Sequence, residues 1–165
     1  MIENRREAND IINSLTICDP AVGSGHFLVS ALNEIIAIKS QLHILQDKEG
    51  KRLKEWDIMV DNDELCICDG EGEFFHYNPK SADSQRVQET LFYEKRYLIE
   101  HCLFGVDLNP NSVNICRLRL WIELLKNAYY REDGQLETLP NIDIPFIKDI
   151  PFIGTILSGQ NVLTY

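Results

Sequence analysis

Asp19-Pro20-Ala21-Val22-Gly23-Ser24-Gly25-His26-Phe27-Leu28 is the stretch on which the reading of this chain turns. Before it, Leu15-Thr16-Ile17-Cys18 is a short apolar run that reads as a buried strand. After it, Val29 to Leu45 has helical periodicity. Strand, glycine loop and helix, in that order, present backbone N–H groups to a ligand in α/β folds. Glycines turn tightly and admit a ligand where a Cβ would collide. Asp19, at the strand end, adds a carboxylate to the same crevice. Two familiar loops fit poorly. A phosphate-binding loop ends Gly-Lys-Ser/Thr, and Gly25 is followed by His26. A dinucleotide loop needs a small residue three positions after Gly25, where Leu28 stands. Asp19 would also repel a pyrophosphate, so a ligand carrying positive charge fits better.

Working outward, the helix after the loop has Leu28, Ala31, Leu32, Ile35 and Ile36 on one face, with Leu42 and Leu45 continuing it. That is the stripe of a helix packed on a sheet. Gln46-Asp47-Lys48-Glu49-Gly50 ends it with a polar turn. From 53 to 77 the period changes. Trp56, Ile58 and Val60 alternate with Asp57, Met59 and Asp61, Leu65 and Ile67 follow an acidic turn, and Phe74 to Tyr77 follow a glycine turn. This predicts a small antiparallel meander. Asp61-Asn62-Asp63-Glu64 lacks the glycine of a calcium loop, so its carboxylates read as solvated. Residues 83–101 return to helix, with Val87, Leu91, Tyr97 and Leu98 apolar. In the other direction, residues 1–13 are a polar lead-in and the end of a helix.

Leu103-Phe104-Gly105-Val106-Asp107 then repeats the opening theme, a buried strand ending in an acid. Asn109-Pro110 supplies a cap and a first-turn proline. The helix they start carries Val113, Leu120, Trp121, Leu124 and Leu125 and runs to about Tyr129. Arg131-Glu132-Asp133-Gly134 breaks it. An acid after a second strand can accept hydrogen bonds from both hydroxyls of a ribose. In a simple nucleotide-binding unit it follows the glycines by about twenty residues, whereas Asp107 follows Gly25 by 82. Residues 50–101 therefore read as an insertion, between a first unit at 1–49 and a second at 102–130, with 131–165 a tail.

The 165 residues suffice for one domain with a core. The net charge of −10 argues against this segment being the main duplex-binding surface, which demands clustered Lys and Arg. No apolar run approaches a membrane span and no basic leader opens the chain, so no membrane partner and a cytoplasmic location are expected. Five irregularly spaced cysteines read as free thiols in a reducing compartment, with no metal site.

The decapeptide at Asp19 resembles motif I of the S-adenosylmethionine (SAM)-dependent methyltransferases, in the Asp-Pro-Ala-X-Gly-Ser-Gly form of DNA adenine-N6 methyltransferases. Leu103 to Pro110, with Arg117-Leu118-Arg119-Leu120-Trp121-Ile122-Glu123, is similar to the motif II region of the large enzymes of type IIG restriction–modification systems and their phage-defence relatives. The likeness runs from about Ile17 to Asn141. It implies an α/β class, with a partial Rossmann-like methyltransferase fold carrying an inserted β-meander and helix. It implies SAM as cofactor. Asp19, Pro20, Ala21, Gly23, Ser24 and Gly25 would line the methionine and glycine loop, with Phe27 near the methionine end. Asp107 would take the ribose hydroxyls and Leu108 would lie against the adenine.

The sequence departs from that family at one decisive place. Adenine-N6 enzymes carry an Asn/Asp-Pro-Pro-aromatic motif that aligns the exocyclic amine and stacks on the flipped base. Here Asn78-Pro79-Lys80 and Asn109-Pro110-Asn111 lack the second proline and the aromatic, so no catalytic residue is assigned. The upstream segment that completes the SAM pocket is not found before Asp19, and no motif III aligns after Asn141. The expectation is the SAM-binding part of a larger methyltransferase, inactive alone, meeting DNA through parts outside this chain and self-associating through an exposed sheet edge. A non-catalytic remnant, or a partner subunit of a split enzyme, is the alternative.

Overall fold

The computed structural model describes residues 4–137. The two acid-ended strands lie side by side in it. β1 (Ile17–Asp19) and β4 (Leu103–Gly105) pair in parallel, with Ile17 opposite Leu103 and Asp19 opposite Gly105. A parallel pair needs a crossover. This one contains α2 (His26–Gln41), the antiparallel hairpin of β2 (Trp56–Asp61) and β3 (Glu64–Asp69), and α3 (Ala82–His101). α1 (Arg5–Asn13) precedes β1, and α4 (Pro110–Leu125) follows β4. A short hairpin, β5 (Tyr129–Tyr130) with β6 (Leu136–Glu137), closes the described chain across Arg131–Gly134. The architecture is α/β, with mixed helices and small sheets. The tail beyond 137, including any match there, lies outside the described residues.

Three helices and one face of the strand pair make the core. Leu28, Leu32, Ile35 and Ile36 of α2 meet Leu91, Phe92, Leu98 and Ile99 of α3, Leu103 of β4, and Leu120 and Leu124 of α4. The spacing within each helix is the stripe that buries one face of a helix. Fully burying each such side chain stabilises the fold by about 1.5–3 kcal/mol. The hairpin adds Ile58, and Trp56 meets Phe75 edge to face. Of the expected meander, two strands are regular, while the third arm is an isolated bridge, Cys68 to Phe74, with a bond from Phe75 N–H to the Ile67 carbonyl.

Three expectations need correction. The first strand is not buried: Leu15 is 46% exposed and Cys18 is exposed. Side chains alternate across a strand, and among the described residues the face carrying Cys18 has no covering layer. Leu42 and Leu45 do not continue α2. The helix stops at Gln41, His43 takes a left-handed turn (φ 55°), and the reversal returns Ile44 and Leu45 to the core. α4 ends at Leu125, not Tyr129. Tyr97 and Trp121 are exposed. α4 is apolar on two faces. Cys116, Leu120 and Leu124 point inward, whereas Ile115, Leu118 and Ile122 are exposed.

Two lysines are buried with the helices. Lys39 reaches Asn13 and Glu94. Lys95 donates to the Glu123 carbonyl (2.9 Å), with the Glu123 carboxylate 3.5 Å away. Burial pushes the Lys95 ammonium down to about 8, against the pull of Glu123. An unfolded lysine titrates near 10.4. Between these values the folded chain binds fewer protons, so this group's contribution to stability rises with pH across that window. Urea denaturation at pH 7.5 and pH 10 is expected to show the wild type gaining on Lys95→Met as pH rises; a constant gap would contradict the burial account.

Glycine at 105 is dictated by contact. A Cβ there would stand 2.6 Å from Val22 Cγ2 and 3.0 Å from Leu28 Cδ1. Gly105→Ala is expected to cost about 1–3 kcal/mol by overpacking, read as a lower denaturation midpoint at unchanged slope. Gly70→Ala, with open space at its Cβ position, serves as the control.

Candidate functional site

The glycine loop sits at the carboxyl end of β1 and is laced to the end of β4. Val22 N–H donates to the Val106 carbonyl (2.8 Å), and Val106 N–H donates to the Asp19 carbonyl (2.9 Å). Asp19 Oδ1 accepts from Ala21 N–H (3.0 Å), which shapes the Pro20–Ala21 turn. Gly23 (φ 52°) and Gly25 (φ 79°) take left-handed conformations that favour glycine. Gly25 has a second constraint. A Cβ there would lie 2.5 Å from Cys116 Sγ and 3.0 Å from Cys116 Cα. The loop is thereby pressed against α4.

Gly25 is the N-cap of α2, and no side chain caps that helix. The first N–H groups of a helix lack intrahelical partners and carry the positive end of its dipole. An uncapped N-terminus beside two glycines is therefore a cradle for an acceptor group. A Cβ at Gly23 would meet only the Ala21 carbonyl, at 3.8 Å. Ser24 is exposed, its hydroxyl accepting from Arg119 at 3.4 Å. Phe27 and Leu108 are 55% and 73% exposed, large apolar side chains at the same end of the strands.

Asp107 completes the arrangement. Its Oδ2 accepts from Gly23 N–H (2.9 Å), across 84 residues of sequence, and its Oδ1 accepts from Asn109 N–H (2.8 Å). Asn109 in turn caps α4, its side chain accepting from Asn111 N–H, with Pro110 in the first turn. The carboxylate therefore ties the two loops together. Each of its oxygens retains a lone pair for a further donor.

Nine sequence-derived residues thus gather at one end of the strand pair: Asp19 ends β1, Pro20, Ala21, Gly23, Ser24 and Gly25 form the loop, Phe27 lies in the first turn of α2, and Asp107 and Leu108 lie on the second loop, which hydrogen bonds join to the first. Sequence reasoning missed three things. Gly105 permits Val22 to pack under the loop; a glycine inside a strand was the available signal. Cys116 is the surface against which Gly25 rests. Burial pushes its thiol up to about 11, with Asp19 adding to the shift, so it stays protonated. The hairpin turn is solvated as expected, Asp61 to Glu64 all being exposed, but the sequence did not show that Asp63 also bonds to α2. Ser30 Oγ donates to Asp63 Oδ1 (3.2 Å), and Asn33 Nδ2 donates to the Asp63 carbonyl (2.9 Å).

A groove of about 480 Å³ lies elsewhere, between the end of α1, segment 46–49 and α3. None of the nine residues lines it. Its charged groups are spent on one another, in the pairs Arg86–Asp47 and Lys48–Glu89. The laced loops are the stronger candidate because their free groups point to a ligand.

Comparison with known proteins follows the same direction. The chain is 30% identical over 135 residues to a protein of Methanocaldococcus jannaschii named "Putative type II restriction enzyme and methyltransferase". The likeness takes in 81% of this chain. The chain spans about 8% of the length of that relative. No family model and no solved structure matches. The similarity relates this chain to a restriction–modification methyltransferase over a small part of that protein. No helix among the described residues is long and apolar enough to cross a membrane.

Gly25→Ala is expected to be the most damaging single change in the loop, since it meets both a left-handed backbone and the Cys116 backbone. A loss of about 2 kcal/mol or more is expected in chemical denaturation. Cys116→Ala is expected to restore little of it, because Cys116 Cα itself blocks the new methyl. Full rescue would show that the side chain alone sets the approach.

Proposed function

We propose that this chain is the SAM-binding part of a DNA adenine-N6 methyltransferase core, Rossmann-like in fold, from a restriction–modification or phage-defence system. One observation carries the reading. The Gly23 amide donates to Asp107, so the glycine loop and the second strand-end acid lie side by side at the same end of the strand pair despite the long insertion between them. In open α/β sheets ligands bind beyond the carboxyl ends of the strands.

The residues present fit SAM by their chemistry. The uncapped first-turn amides of α2 suit the carboxylate of its methionine part, the Gly23 and Gly25 amides being already bonded to Asp107 and to the Val22 carbonyl. Asp19 suits its positive charge, and Phe27 offers apolar surface near that end. Asp107 has lone pairs left for the ribose hydroxyls, and exposed Leu108 suits the adenine face. Pro20 and Ala21 hold the entry of the loop. When bound, SAM supplies a methyl group on a positively charged sulfur. The role of this chain's residues is to bind it, orient it and fix the loop around it.

In this reading the methyl acceptor is the exocyclic amine of a flipped adenine. The groups that align that amine belong to the Asn-Pro-Pro-aromatic motif, which the sequence does not contain. DNA contact likewise belongs to parts beyond this chain, in keeping with its charge of −10. The M. jannaschii relative's name pairs restriction enzyme and methyltransferase, which supports the system but not the base.

Titration calorimetry with SAM tests the cofactor half. Saturable binding is expected, lost in Asp107→Ala and weakened at least about tenfold in Asp107→Asn, which keeps the shape but not the charge. Circular dichroism confirms that each variant is folded. A folded wild type that ignores SAM, or variants that bind it unchanged, would overturn the reading. Incubation with adenine-containing duplex and radiolabelled SAM is expected to give no transfer by this chain alone.

A further inference from the structure

We propose that Asp63, at the tip of the inserted hairpin, is a positioning residue for the glycine loop, making the insertion part of the binding machinery. The ligand side of this inference rests on the SAM reading above; its structural side does not.

The tip makes its contacts on one short stretch of α2. Ser30 Oγ donates to Asp63 Oδ1, the Asn33 side chain donates to the Asp63 carbonyl, and His26 Nε2 lies 3.6 Å from Asp63 Oδ2. His26 is the first residue of that helix and Ser30 lies one turn on. Asn33 is fully buried, and its amide donor goes to the hairpin. The turn is the tight two-residue loop of the hairpin, which holds the tip in one geometry. Asn62 (φ 50°) and Asp63 (φ 65°) are both left-handed without being glycine. The next residue, Glu64, pairs with Lys126 just beyond α4 (2.7 Å). The tip thus touches the start of α2, beside the glycine loop, and the C-terminal end of α4, away from Asp107.

α2 needs such a brace. Its N-terminus has no side-chain cap, and its start rests on Gly25 against Cys116. A lateral hold at residues 26 to 33 fixes the direction in which the first-turn amides and Phe27 point. The contacts divide by role. The Asp63 carbonyl docks the hairpin through Asn33, and the carboxylate orients the first turns through Ser30 and His26. A carboxylate change can therefore disturb the loop while the hairpin stays docked.

Three variants separate these roles. Asp63→Ala and Ser30→Ala remove the same hydrogen bond from opposite sides, and Ser30→Ala does so without touching the left-handed turn. Asp63→Asn keeps an acceptor for Ser30 and tolerates the left-handed backbone. Amide hydrogen exchange on the unliganded chain is the first readout. Both alanine variants should exchange faster at Val29 and Ala31, whose amides close the first helical bonds, with Ile36 and Leu98 unchanged and Asp63→Asn near wild type. SAM affinity is the second. Each alanine variant should bind about fivefold more weakly, the double variant no worse than either single, and Asp63→Asn within about twofold.

Unchanged exchange in both single variants overturns the positioning role, as does wild-type affinity in both. Additive losses in the double variant overturn it too, since they would mean two unrelated effects. A wild-type chain that does not bind SAM, with exchange still accelerated in the variants, overturns the cofactor reading and leaves the brace established.

Discussion

The lacing of two strand ends is what the rest of the structure depends on. Three backbone-anchored bonds, between Val22 and Val106, Val106 and Asp19, and Gly23 and Asp107, fasten loops far apart in sequence. They form only if β1 and β4 pair in parallel with Asp19 opposite Gly105. Slipping the register by one residue would reverse the facing of every side chain in β4. It would also turn Asp107 away from Gly23. The helices then have to lie close, and two glycines allow it: Gly105 lets Val22 sit under the loop, and Gly25 lets α2 touch α4.

The parts of the fold legible in the sequence are those written in residues next to each other. Asn109-Pro110 announced the start of α4, and the i, i+4 spacing of Leu28, Leu32 and Ile36 announced the buried face of α2. The alternation from Trp56 to Asp61 announced a strand. Boundaries governed by tertiary contact were less legible. Nothing local says that α2 stops at Gln41, because Leu42 and Leu45 keep helical spacing. The reversal at His43 succeeds because it returns Ile44 and Leu45 to the core. Burial of β1 was misjudged for a related reason: an apolar run says what a strand could bury, not whether a layer lies over it.

The candidate site divides in the same way. Its nine residues were recognisable from two short motifs, and the structure brings the motifs together through Asp107. The supporting contacts were not recognisable. Cys116 and Asp63 carry no motif; they matter through what they touch, a glycine and a helix start more than thirty residues away in sequence. The acidic turn is exposed, as its sequence suggests, but the sequence cannot show that Ser30 and Asn33 face it.

α4's second apolar face has a consequence for how the protein behaves in solution. Ile115, Leu118 and Ile122 form an exposed stripe that favours contact between copies, while a net charge of −10 drives copies apart. The repulsion is long-ranged and salt-sensitive, with a screening length of about 10 Å at 0.1 M that shrinks to about 3 Å at 1 M. The attraction is short-ranged and is not screened. Ionic strength is therefore the colloidal control of this chain: dilute buffer keeps molecules separate through charge, and concentrated salt leaves the stripe unopposed.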